Sequence, residues 1–188
     1  MADCSLIEEN GRAHFLTRRF DRVGGKKLHM QTLCGIAHYD YRLLRGYSYE
    51  QAFNVMRGMK LSYQEAQELF RRVVFNVVVR NQDDHTKNIS FLMDRTGKWS
   101  LSPAYDMGYA YNPKGAWTSA HQMSINGKFD DISRSDLMEL AIRNNIRNAH
   151  QIIDEVCEVC ASWPQIAREC DVPQSMIDSI LPNMQLAL

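Results

Sequence analysis

The stretch NQDDHTKNISF, residues 81–91, gathers two carboxylates, an imidazole, an ammonium and several side-chain amides directly behind the apolar run VVFNVVV (73–79). Asp83 and Asn88 have the spacing D-x-x-x-x-N, and Asp106 follows in SPAYDMGYA (102–110). Three such residues suit phosphoryl transfer. One carboxylate orients a hydroxyl and takes its proton, while neutral or anionic oxygens hold a hard cation against phosphates. An Asn amide oxygen serves such a cation without adding charge, so Asp83 reads as the base and Asn88 and Asp106 as the metal ligands. Lys87 would neutralise charge on the transferring phosphoryl group. His85 either contacts a nucleotide or braces the loop. Asp84 reads as a turn residue or the cap of a local backbone amide.

These residues need a rigid frame. Residues 62–80 predict a central helix. Ser62 and Glu65 form a capping box, and Tyr63, Ala66, Phe70, Val73 and Val77 recur at steps of three and four. ISFLM (89–93) and KWSLS (98–102) flank the turn DRTG (94–97) and predict a β-hairpin. That hairpin returns the chain and brings Asp106 towards Asn88. Elsewhere the pattern predicts a strand over 13–20, a turn over 22–27, and helices over 29–37, 48–59, 133–144, 148–163 and 173–185. The fold class is mainly α (α+β): a helical lobe with a small hairpin inserted after a buried helix.

With 188 residues, 45% hydrophobic and 23% charged, the chain has the composition of one ordinary globular domain. Lys+Arg and Asp+Glu balance at 22 each, which argues against direct nucleic-acid binding as the main role. The basic segment RRFDRVGGKK (18–27) reads as a solvated turn. Cys157 and Cys160 form a C-x-x-C inside a helical pattern, and that spacing puts two small apolar groups on one helix face. No apolar run approaches the ~20 residues that span a bilayer, and the first residues show no signal-peptide pattern. The expected setting is cytoplasmic.

The D-x-x-x-x-N spacing is that of the protein-kinase catalytic loop, and Asp106-Met107-Gly108 has the form of the kinase D-F-G with Met for Phe. NQDDHTKNISFL…GKWSLSPAYDM resembles the C-terminal kinase domain of the HipA family, the serine/threonine-kinase toxins of bacterial toxin–antitoxin systems. The family pattern, N-x-D-x-H-x-K-N, a hairpin, then L-(S/T)-P-x-Y-D, is met at every fixed element. RFDR (19–22) is similar to the family's hinge, with Arg18 where members usually carry Glu, and KLHMQTLCG (27–35) is similar to the stretch after it. The resemblance implies a protein-kinase-like C-lobe with a hinge strand and linker at 1–28 and a helical lobe at 29–188. It implies Asp83 as catalytic carboxylate with Lys87 beside it, and Asn88 and Asp106 as Mg²⁺ ligands. Phe20, Asp21, His85 and Tyr105 would line the ATP site. A helix-turn-helix antitoxin of the HipB type and a protein substrate of tRNA charging are the implied partners.

The 188 residues contain no G-x-G-x-x-G and no lysine before Lys26. A kinase N-lobe supplies a Gly-rich loop over the phosphates and a strand lysine. The chain therefore reads as a C-lobe that requires an N-lobe in cis or trans, with little ATP affinity or kinase activity alone. An uncovered, partly apolar face would favour self-association. One rival reading is a noncatalytic module that docks an antitoxin or a separate N-lobe. Another is a metal-dependent hydrolase built on Asp83, Asp84, His85 and Asp106.

Overall fold

In the computed structural model, which describes residues 1–188, the chain opens with an antiparallel hairpin of β1 (Cys4–Glu9) and β2 (Arg12–Thr17). Asn10 and Gly11 close it at φ 50° and 72°, the left-handed pair that a two-residue hairpin turn demands. The strand expected over 13–20 thus ends earlier, at Thr17, and gains an unexpected partner. The Asn-Gly dipeptide was the signal for that partner, because CSLIEE lacks clear alternation. Both strands are exposed along their whole length.

The expected turn over 22–27 is a second tight hairpin, β3 (Arg22–Val23) and β4 (Lys26–Lys27), around Gly24 and Gly25 at positive φ. The helix expected over 29–37 is mostly absent. His29–Thr32 forms β5, and only Leu33–Ile36 is helical, as α1, with the Gly35 amide donating to the Thr32 hydroxyl. The cause is tertiary. β5 pairs antiparallel with β7 (Ser90–Met93), which pairs with β8 (Trp99–Leu101) in a three-stranded sheet. Ladder bonds to a strand remote in sequence override the local helical pattern.

β6 (Tyr47–Ser48) leads into α2 (Tyr49–Gly58) and runs parallel to β9 (Met123–Ser124). α3 (Tyr63–Val78) begins at the predicted Ser62–Glu65 capping box, in which each side chain bonds the other's backbone amide. Glu65 also reaches the sheet. Its other oxygen accepts the Leu101 amide at 2.8 Å and pins β8 to the helix start. α4 (Arg134–Arg143) and α5 (Ala149–Ala161) follow, then α6 (Trp163–Glu169) and α7 (Gln174–Ile180). The helix expected over 173–185 tightens to a 3-10 turn at Leu181–Asn183, where Pro182 removes an amide donor.

The core forms around α3. Its Leu69, Phe70, Val73, Val74, Val77 and Val78 are fully buried against Phe53 and Met56 of α2, Leu137 and Leu140 of α4, and Ile152 and Ile153 of α5. Each such side chain contributes about 1.5–3 kcal/mol by leaving water, so the end of α3 is a firm platform. Cys160 joins this core and Cys157 packs beside it, both as free thiols. Burial, with Cys157 adjacent, pushes the Cys160 thiol up to about 11. The two thiols pack within the helical layer. The chain is α+β, with more short strands than its sequence pattern suggested. No helix is long and apolar enough to cross a membrane.

Candidate active site

The polar loop is aimed by the way α3 stops. The Asn81 amide donates back to the Asn76 carbonyl at 2.8 Å and the Arg80 amide to Val77 at 3.3 Å. This is a Schellman closure with Arg80 in the position that usually takes glycine, at φ 52°. Arg80 is held there by its own side chain. Its Nε donates to the Asn183 carbonyl at 2.8 Å and its guanidinium lies 4.6 Å from the centre of the Tyr111 ring. The reversal sends residues 81–88 across the top of the core. The Cys34 amide then donates to the Thr86 carbonyl and the Leu33 amide to Ile89, fastening the loop to α1.

Above this platform lies a cleft of about 600 Å³, lined by Asp83, Asn88, Asp106, Tyr105, Phe20 and Asp21 together with Asn81, Met30, residues 107–110 and the foot of the β1–β2 hairpin. Six of the eight residues singled out from sequence therefore share one concavity. The Asn88 Nδ2 donates to the Asp83 carbonyl at 2.9 Å. That bond leaves the Asn88 Oδ1 as the free atom, an oxygen suited to a hard cation. Asp106 lines the same cleft, so the two residues bring oxygen donors of the kind Mg²⁺ takes.

His85 and Lys87 do not line the cleft. The His85 Nε2 stands 3.9 Å from an Asp83 oxygen, beyond hydrogen-bond reach. The Lys87 ammonium sits 3.6 Å from the centre of the Tyr41 ring, drawn to its π face. Tyr105 presents its ring to the cleft, 5.7 Å from that of Phe20. Its hydroxyl donates to the Lys87 carbonyl and accepts from Ser90. Burial raises its pKa above the ordinary phenol value. Asp21 accepts a two-pronged bond from Arg19 at 2.9 and 2.7 Å and a further bond from Arg22. Arg19 is the main reason its carboxyl falls to about 2. The Asp21 carbonyl accepts from the Leu28 amide at 3.0 Å. The acid is thus a clamp on the segment that leads into the β3–β4 turn, and two cations of the basic segment are committed to it.

Asp84 is neither a solvated turn residue nor a local cap. Its side chain is 1% exposed and accepts from the Tyr49 hydroxyl at 2.7 Å, the His121 Nδ1 at 2.9 Å and the Gln122 amide at 2.7 Å. Tyr49 also accepts from Asn76, and Asn76 from Asn81. These partners come from α2, α3 and the chain before β9, so no local pattern announces them. The visible hint was Asn76, a lone amide inside VVFNVVV. Asp84, committed to three donors, is not free to serve the hydrolase reading. Nor do three His, Cys, Asp or Glu side chains converge as a metal-holding group.

Residues 1–163 match the family model described as the HipA-like C-terminal domain. "Putative kinase Y4dM" of Sinorhizobium fredii (strain NBRC 101917 / NGR234) is 29% identical over 184 residues, covering 90% of this chain and 43% of that protein. A chain of the solved Shewanella oneidensis MR-1 toxin–antitoxin complex of HipA, HipB and operator DNA has the same fold. It superposes with a TM-score of 0.71 at 18% identity, over 89% of this chain and 44% of that one. The chain thus spans less than half the length of each of these relatives.

Proposed function

The chain belongs to the HipA-like C-terminal domain family, and from that premise we propose that it is the catalytic lobe of a HipA-type serine/threonine protein kinase that uses ATP and Mg²⁺. The observation that carries the reading is the placement of Asp83, Asn88 and Asp106 on one cleft with the Asn88 oxygen left free. Asp83, about half exposed, orients the substrate hydroxyl and accepts its proton. Asn88 and Asp106 would hold Mg²⁺, which supplies charge neutralisation at the phosphates. Phe20 and Tyr105 offer aromatic faces to the adenine side. Tyr105 also fixes the loop through its hydroxyl, and the Asp21 clamp shapes the hinge turn. Lys87 reaches the phosphates only after leaving Tyr41.

An N-lobe, in cis or trans, completes the site by covering the phosphates. Leu6 and Phe15, paired on one face of the β1–β2 hairpin and both more than half exposed, give such a lobe an apolar seat. A HipB-like antitoxin and a protein substrate of tRNA charging are the partners the family suggests. Left alone, the chain would bind nucleotide weakly. The second reading, a noncatalytic docking module, draws on the same exposed hairpin and on Lys87 lying outside the cleft.

Asp83→Asn separates the two. In the chain assembled with its N-lobe, transfer from radiolabelled ATP to protein should fall about 10²–10⁴-fold, the usual contribution of a positioned acid or base. Partner binding should persist. Undiminished transfer, or none in the assembled protein before mutation, would remove the kinase reading and leave the docking module.

A further inference from the structure

Asp84 terminates a chain of buried hydrogen bonds with a fixed sense. A carboxylate accepts and does not donate, so the Tyr49 hydroxyl gives it its single proton at 2.7 Å. The Tyr49 oxygen must then accept, and it does, from Asn76 Nδ2 at 2.9 Å. That orientation presents Asn76 Oδ1 to Asn81, whose Nδ2 donates at 2.9 Å. The second proton on Asn81 Nδ2 is directed at the Asp106 carbonyl at 3.4 Å. All four side chains belong to residues less than a tenth exposed. Burial raises the Tyr49 pKa well above the phenol value, which keeps it a donor. At the far end Asp106 sits at φ 55°. A non-glycine residue stays in that region only where its surroundings hold it.

We propose that Asn81 is a positioning residue for Asp106, and that its amide is oriented from a distance by the carboxylate of Asp84 through Tyr49 and Asn76. The consequence for function rests on Asp106 being a metal ligand; the orientation itself does not. Buried hydrogen-bonded chains of this kind polarise one another, and groups that orient a metal ligand matter nearly as much as the ligand. A chain of this sense also joins α2, α3, the catalytic loop and the Asp106 segment into one unit. His121 and Gln122 extend that unit to the strand pair below, since both donate to the same carboxylate.

The test uses the whole chain labelled with ¹⁵N, and Mn²⁺ alone as probe. Tyr49→Phe deletes one hydroxyl and keeps the ring in the core. It should move the side-chain amide signals of Asn81 and the backbone amide of Met107, which shares a peptide with the Asp106 carbonyl, while α5 amides stay in place. It should also raise the Mn²⁺ concentration that broadens the Asn88 and Asp106 signals about tenfold. Asp106→Ala should abolish that broadening. An unmoved Met107 amide in folded Tyr49→Phe would overturn the relay. Equal broadening in Tyr49→Phe and the parent would overturn its bearing on the ligand. Should Mn²⁺ broaden neither residue in the parent chain, Asp106 is no metal ligand in this chain on its own and the bearing on the ligand falls, while the Met107 signal still decides the relay. If Tyr49→Phe does not fold, Asp84→Asn replaces it. Its amide places a donor where the carboxylate accepted, and the same Met107 shift is required.

Discussion

The Tyr105 hydroxyl donates to the backbone carbonyl of Lys87 while accepting the proton of Ser90. One phenol thereby joins the end of the 81–88 loop, the first residue of β7 and the residue just before Asp106. Tyr105→Phe removes both bonds and strands the Ser90 hydroxyl, which is fully buried. An unsatisfied buried polar group costs about 1–3 kcal/mol. Urea unfolding should show a loss of that size, with faster hydrogen exchange at residues 87–90. Unchanged exchange there would mean that the phenol does not brace the loop.

Adjacent carboxylates should behave in opposite ways. Asp84 is enclosed with three donors, whereas the Asp83 side chain is 49% exposed. Asp84→Ala leaves the Tyr49 hydroxyl, the His121 Nδ1 and the Gln122 amide buried without their acceptor, and each such group left unsatisfied costs about 1–3 kcal/mol. Asp83→Ala should stay within about 0.5 kcal/mol, as for other surface sites. Equilibrium denaturation of the two variants checks the contrast.

The Asp21 clamp carries a pH signature. Arg19, followed by Arg22, lowers the Asp21 carboxyl from 3.8 to about 2. A depressed folded-state pKa means that stability from this group is fully present above the unfolded value of 3.8 and is lost as pH falls through about 2. Carbon NMR of the Asp21 carboxyl should therefore give a midpoint near 2, and Arg19→Ala should move it upward towards 3.8. A midpoint that ignores Arg19 would show that the clamp does not persist in solution.

What could be read from the sequence was what depended on near neighbours in the chain. The Ser62–Glu65 box, the apolar stripe of α3 and the turn between β7 and β8 are local signals, and each marks the element found. That Asp83, Asn88 and Asp106 line one cleft was legible for a related reason: their spacing and the short hairpin between them limit where they can go. β5 was not legible, because its ladder partner β7 lies some sixty residues on and the local pattern of 29–37 is helical. β6 and β9 are two-residue strands whose pairing is purely tertiary. The roles of Tyr49, Asn76 and His121 stayed hidden because polar groups buried from three distant segments leave no period. Lys87 shows the limit from another side: its identity suggested phosphate, and its direction came from Tyr41, a residue in a loop with no pattern of its own.

That contact makes the last prediction. The Lys87 ammonium over the Tyr41 ring is an attraction of about 0.5–1 kcal/mol at exposed sites, small enough to be exchanged for a phosphate. Tyr41 is exposed, so Tyr41→Leu should leave the unfolding midpoint nearly unchanged. The ring should shift the Lys87 side-chain methylene signals upfield, and Tyr41→Leu should return them to ordinary values. In the chain assembled with its N-lobe, Mg-ATP should do the same by drawing Lys87 off the ring. If the upfield signals survive saturating Mg-ATP, Lys87 stays on Tyr41 during binding. It then serves to anchor the Tyr41 loop against residues 85–88, and the phosphates are neutralised from elsewhere in the site.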